Sequence, residues 1–174
     1  NKNIAIGSYA LDGALSNSVN NIAIGVSALG ADTKGNSSVA IGSSALRLQN
    51  FTSATDAYNV AIGRAAGENV TTGTSNTLIG GLAGDAITTG ADNVAVGYLS
   101  LSDSQTGGNN VAVGSLALEN NTAGNNTGVG YKAMHANIGG GNNTALGSFA
   151  LASNTTGGSN TAVGNDCMDS STEG

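Results

Sequence analysis

The chain has 174 residues, 28 of them Gly and none Pro or Trp, and only 9% are charged, giving a net charge of -6. Side chains this small cannot fill the thick core of a two-layer domain, and the five bases, Lys2, Lys34, Arg47, Arg64 and Lys132, are scattered. A phosphate backbone or an anionic membrane surface needs a basic stripe, so nucleic acid is excluded as a partner.

No apolar run approaches the roughly 18 residues that span a bilayer, so the chain is not expected to be membrane-embedded. Nothing at its start reads as a signal peptide, and because it begins inside a repeat it is expected to be an excised fragment or a mature product.

In chain order the first unit is Asn3-Ile4-Ala5-Ile6-Gly7, which returns as Asn21-Ile22-Ala23-Ile24-Gly25 and Ser38-Val39-Ala40-Ile41-Gly42. The pentad glycines continue at Gly63, Gly80, Gly97, Gly114, Gly130, Gly147 and Gly164, with spacings over the chain of 18, 17, 21, 17, 17, 17, 16, 17 and 17. A fixed period over the whole length is the signature of a solenoid. It predicts one all-β domain over residues 1–174, a parallel β-solenoid of about ten coils of about 17 residues.

Within each pentad, β-branched residues alternate with a small one, which is a strand signal. The residue before Gly is Ile6, Ile24, Ile41, Ile62, Ile79, Val96, Val113, Val129, Leu146 and Val163 in turn. Being aliphatic in every copy, this position is expected to be the strictest part of the core. Two residues earlier the site is Ile or Val in six copies but Thr in four, Thr77, Thr127, Thr144 and Thr161. That position is expected to be less deeply buried, or buried against a partner chain.

After each Gly comes a second apolar element, as at Ala10-Leu11, Ala28-Leu29, Ala117-Leu118 and Ala150-Leu151, which predicts two short strands per coil. A small insertion at about 48–58, containing Phe51, is expected to protrude as a loop, where binding specificity tends to reside. In the next two coils Gly67 and Gly84 replace the Leu, while Val70 and Ile87 appear three residues later and restore core volume.

The first pentad residue is Asn3, Asn21, Asn59, Asn76, Asn93, Asn110, Asn126, Asn143 and Asn160, with Ser38 as the exception. Asn tolerates a left-handed bend, and stacked amides hydrogen-bond from coil to coil, so this column reads as an asparagine ladder at a corner. Coils stacked at about 4.8 Å make a rod of roughly 48 Å. Each coil buries only two or three medium side chains, so lateral association is expected.

Convergent chemistry is sparse. His135, the single histidine, falls in a column that also holds Asp12, Gly30, Arg47, Glu68, Asp85, Ser102, Glu119, Ala152 and Asp169, the mark of a solvated edge. Glu68 and Asp85 on successive coils lie roughly 5 Å apart, a pair able to hold a hard cation or to act as acid and base, with a solvated pair as the plainer reading. Cys167 stands where other copies have Ala or Ser, a small buried site, and has no disulfide partner. No EF-hand, phosphate loop or Ser/His/Asp grouping occurs. The chain is expected to be non-catalytic, with no metal or cofactor.

The pentads Ser38-Val39-Ala40-Ile41-Gly42 and Asn59-Val60-Ala61-Ile62-Gly63 resemble the head repeats of YadA-like trimeric autotransporter adhesins. Copies such as Asn143-Thr144-Ala145-Leu146-Gly147, running on to Asn154-Thr155-Thr156-Gly157, resemble repeats of bacteriophage tail-fibre proteins of the same class. The resemblance spans nearly the whole chain, although the family head repeat is a few residues shorter. It implies a left-handed β-roll, a homotrimer, and an extracellular place on a virion tail fibre or a bacterial cell surface. The implied role is a rod-like spacer that binds a receptor, glycan or matrix protein. Two other readings stay open: a filament subunit stacking end to end through unpaired strand edges, and an ice- or glycan-binding module.

Overall fold

The structure is a computed structural model that describes residues 2–14 and 18–171. Among the described residues there is no helix, and therefore no helix long and apolar enough to cross a membrane. The strands are β1 (Ile4–Ile6), β2 (Ile22–Ile24), β3 (Gly35–Asn36), β4 (Val39–Ile41), β5 (Thr55–Asp56), β6 (Val60–Ile62), β7 (Thr77–Ile79), β8 (Val94–Val96), β9 (Val111–Val113), β10 (Thr127–Val129), β11 (Thr144–Leu146) and β12 (Thr161–Val163). Ten of them form one parallel sheet in chain order, β1-β2-β4-β6-β7-β8-β9-β10-β11-β12. Each pair is in register pentad on pentad, so that Ala95 faces Ala112 and Val96 faces Val113. The chain is a parallel β-solenoid.

Alternation along a strand puts its first and third residues on one face and its second on the other. The buried face is the middle one. Ala23, Ala40, Ala61, Leu78, Ala95, Ala112 and Ala145 are fully buried. The expectation that the residue before Gly forms the core is overturned: none of Ile6, Ile24, Ile41, Ile62, Ile79, Val96, Val113, Val129, Leu146 and Val163 is buried, and Ile6 and Val163 are 59% and 64% exposed. The reason is volume. The wall opposite the strand supplies Leu29, Leu46, Leu101, Leu118, Met134 and Leu151, all fully buried, and the narrow space left across the coil admits Ala but not a second branched side chain.

Apart from the short β3 and β5, each coil carries one strand rather than the two expected. The Ala-Leu segment runs as a turn, because every second residue there is left-handed, as at Ser27 (φ 57) and Leu29 (φ 52). Extended backbone cannot continue through such residues. The turns still stack coil on coil, with the Leu29 N–H donating to the Ala45 carbonyl at 2.9 Å and that of Leu46 to Ala66 at 3.0 Å.

Where Gly67 and Gly84 replace Leu, a third side chain joins Val70 and Ile87. Leu78 stands in the Ala position of β7, and a Cβ added at Gly84 would lie 2.8 Å from both Leu78 and Ile87. All three side chains are fully buried, so volume lost from one wall is refilled from the other two. The insertion protrudes less than expected. β5 pairs with β3 of the preceding coil, the Lys34 ammonium donates to the Thr52 carbonyl at 2.8 Å, and Phe51 is buried, leaving Thr52, Ser53 and Ala54 exposed.

The pentad asparagines from Asn21 to Asn143 are buried and face inward, with Asn3 and Asn160 in the end coils half-buried. Along the column an Oδ1 accepts from the backbone N–H of the next pentad's first residue, as from Ser38 to Asn21 (2.9 Å), Asn93 to Asn76 (3.1 Å), Asn110 to Asn93 (3.0 Å) and Asn126 to Asn110 (2.9 Å). The Nδ2 groups from Asn3 to Asn143 cross their own coils to carbonyls of the connecting turns, as from Asn76 to Gly90 (2.9 Å) and Asn93 to Gly107 (3.0 Å), while that of Asn160 in the last coil is unpartnered among the described residues. The left-handed residue of the corner is not the asparagine but the one before it, as at Asp92 (φ 59) and Asn109 (φ 59). Asn93→Ala leaves the Asn110 N–H and the Gly107 carbonyl without that partner in a dry interior, an expected cost of about 2–4 kcal/mol. A denaturant titration would show it as a lowered midpoint, and an unchanged midpoint would refute the role of the column.

Candidate functional site

With the middle residue turned inward, β-branched and aliphatic side chains accumulate outside. One outward column is Ile4, Ile22, Val39, Val60, Thr77, Val94, Val111, Thr127, Thr144 and Thr161; the other is the aliphatic column before the glycines. Neither contains a charged residue. Ten strands at about 4.8 Å make a flat strip of about 43 Å by about 10 Å, on the order of 400 Å². A strip of that size is comparable to the largest apolar patch of an ordinary monomer, and its uncharged, regular columns make it the candidate interaction surface of this chain. Thr is isosteric with Val, so Thr77, Thr127, Thr144 and Thr161 keep the surface flat.

The titratable edge lies on the opposite turn. The Arg47 guanidinium pairs with Glu68 (Nε to Oε1, 2.8 Å), and His135 Nε2 lies 2.6 Å from Glu119 Oε2. Glu68, Asp85 and Asp103 lie close enough to interact. The expected Glu68–Asp85 proximity is therefore present, with Glu68 already engaged by Arg47, and among the described residues no group of three or more His, Cys, Asp or Glu could hold a metal ion. Cys167 is half-buried against the core. A shallow cleft of about 200 Å³ is lined by Tyr9, Asp12, Ser27, Gly30, Ala31, Arg47 and Leu48, smaller than the sites that enclose small molecules.

A second polar column, seven residues after the pentad glycines, was not legible from the repeat. Asn137 Nδ2 donates to Asn121 Oδ1 and Asn154 Nδ2 to Asn137 Oδ1, both at 2.7 Å. Asp32 and Gln49 stand in the same column. Gln49 Nε2 donates to Asp32 Oδ2 (2.8 Å) and Ser38 Oγ (3.1 Å), and its Oε1 accepts from Asn59 Nδ2 (2.7 Å). Gln49 thus supplies the amide that Ser38 lacks.

Two carboxylates are destabilised by this architecture. Burial pushes Asp32 above its ordinary range, against the hydrogen bonds it accepts from Gln49 and the Gly35 N–H. Burial, reinforced by Asp103 and Glu68, pushes Asp85 up to about 6. Both groups hold protons more tightly in the folded chain than in the unfolded one, so their contribution to stability increases as pH falls from about 6 toward 3.8 for Asp85. The melting temperature is expected to be higher at pH 5 than at pH 7, and Asp85→Asn to raise the neutral value and shrink the difference. Melts of both proteins across that range check this; a higher melting temperature at pH 7 than at pH 5 would contradict it.

Comparison with protein-family models, curated proteins and solved structures returns no match.

Proposed function

We propose that the chain is a structural and adhesive fibre segment, a non-catalytic rod that forms a homotrimer by turning three outward sheet faces onto a common axis. The observation that carries this reading is the uncharged strip of two unbroken β-branched and aliphatic columns. A protomer that fills its interior mainly with one Ala column and one Leu column leaves two β-branched and aliphatic columns partly exposed on its outer face. Packing three such strips together removes that surface from water along the full rod. The resemblance to adhesin heads and phage tail fibres favours an extracellular spacer on a virion tail fibre or a bacterial cell surface. Its turns would then carry the contacts to a receptor, glycan or matrix protein.

The test is the solution mass by light scattering over a range of concentrations. A constant mass of three protomers is expected. A mass that grows with concentration would replace the trimer by an end-to-end filament. A stable monomer would sink the trimer, and thermal hysteresis at its freezing point would reassign the flat face to ice.

A further inference from the structure

The strip itself carries no axial register. Its two columns repeat nearly the same side chains at every coil, so protomers sliding by one coil would lose little contact. Register must come from residues that do not repeat, and these stand at the two ends of the strands. The residue before the pentad asparagine flanks one edge of the face and the residue after the pentad glycine flanks the other. In the fourth coil these are Tyr58, 59% exposed, and Arg64, also exposed. In the sixth they are Asp92, exposed, and Tyr98, 56% exposed. Among the described residues none of these four side chains makes a hydrogen bond or ion pair.

Tyr58 and Arg64 of one protomer cannot meet each other, because six residues of nearly extended chain separate them by roughly 20 Å. A ring of three parallel rods joins unlike edges, the end of one strand meeting the start of its neighbour's, and in the three-fold symmetric arrangement protomers have no axial offset. Coils of the same number therefore share a level. Resting on the trimeric reading, we propose that Arg64 stacks on Tyr58 of the neighbouring protomer, that Tyr98 donates its hydroxyl to the neighbour's Asp92, and that these contacts fix the register of the trimer. Coils next to the fourth have only small groups at the same edges: Ser37 and Ser43 in the third, Ser75 and Gly81 in the fifth. If one protomer slipped by one coil, its Arg64 would face a serine and its Tyr58 a serine or a glycine, losing the cation–π contact on both of its interfaces.

Cysteine pairs in a Cys167→Ala background test the level directly. Tyr58→Cys with Arg64→Cys should oxidise to a covalent three-chain ring on a denaturing gel, since the bond forms only between closely apposed backbones. Tyr58→Cys with Ser43→Cys, or with Gly81→Cys, reports a slip of one coil and should not cross-link. Neither single variant should do so. A trimeric mass with cross-linking in a slipped pair, or in no pair, overturns the proposed contacts and leaves the trimer standing, whereas a monomeric mass overturns both. As an independent readout, Arg64→Ala should weaken trimer association by on the order of tenfold, and adding Tyr58→Ala should cost no more than about twofold beyond that. Fully additive losses would overturn the stacking.

Discussion

Gly97→Ala is expected to abolish the cooperative melting transition of the rod. Gly97 has φ +142, a backbone region that residues with a side chain rarely adopt. A Cβ there would lie 2.6 Å from the Gly114 carbonyl carbon and closer still to its oxygen. The obstruction is backbone, and moving it away means breaking the coil-to-coil bonds from the Gly97 N–H to Ile79 and from the Gly114 N–H to Val96, both 2.8 Å. Backbone strain and overpacking together cost on the order of 5 kcal/mol, comparable to the whole stability of a small domain. Gly139→Ala is the control, since a Cβ there meets nothing within 4 Å, and its melting temperature should stay within a degree or two of the parent. Far-ultraviolet circular dichroism on heating reads both. A Gly97→Ala rod that melts like the parent would refute the stacked-glycine account.

The period, the pentad strand of each coil and the asparagine ladder could all be read from the sequence, because each depends on spacing and local chemistry, whereas the expected second strand and the left-handed pentad asparagine were not found. The direction of the strand could not be read from hydrophobicity alone. Ile24 and Val96 look like core and Ala23 and Ala95 like spacers, yet only the Ala positions fit a coil whose other wall already carries Leu29 or Leu101. A signal was present. The only Leu at the middle of a pentad, Leu78, lies between the two turn positions where Gly replaces Leu, Gly67 and Gly84, and that exchange of volume marks the two positions as facing each other. The four threonines pointed the same way, since residues two apart on a strand share a face, so Thr77 outside implies Ile79 outside. The second polar column escaped notice because its occupants change type, from Asp32 and Gln49 through Val70 and Ile87 to Asn121, Asn137 and Asn154. Stacking fixes where a side chain points, while its chemistry drifts from coil to coil.

The same logic sets two neighbouring substitutions against each other. Ala95 and Val96 are consecutive residues of β8, one fully buried and the other on the outward strip. Ala95→Glu forces a carboxylate into an interior walled by Leu101 and Leu118, with no cation to meet it, at a cost of about 5 kcal/mol or more. The isolated protomer should fail to fold. Val96→Glu leaves the interior untouched, so its protomer should keep its circular dichroism spectrum and a stability within about 0.5 kcal/mol of the parent at concentrations where both are monomeric. In the trimer, however, three copies of the new carboxylate converge on the axis at one level, each desolvated and repelled by the others. Light scattering should therefore give a single protomer mass where the parent gives three. A folded Val96→Glu protein that remains trimeric would place the interface on another face, and an unfolded one would return the residue before each glycine to the core. Folded monomers from Val96→Glu beside unfolded chains from Ala95→Glu are the pair of results that separates the inside of the coil from the inside of the fibre.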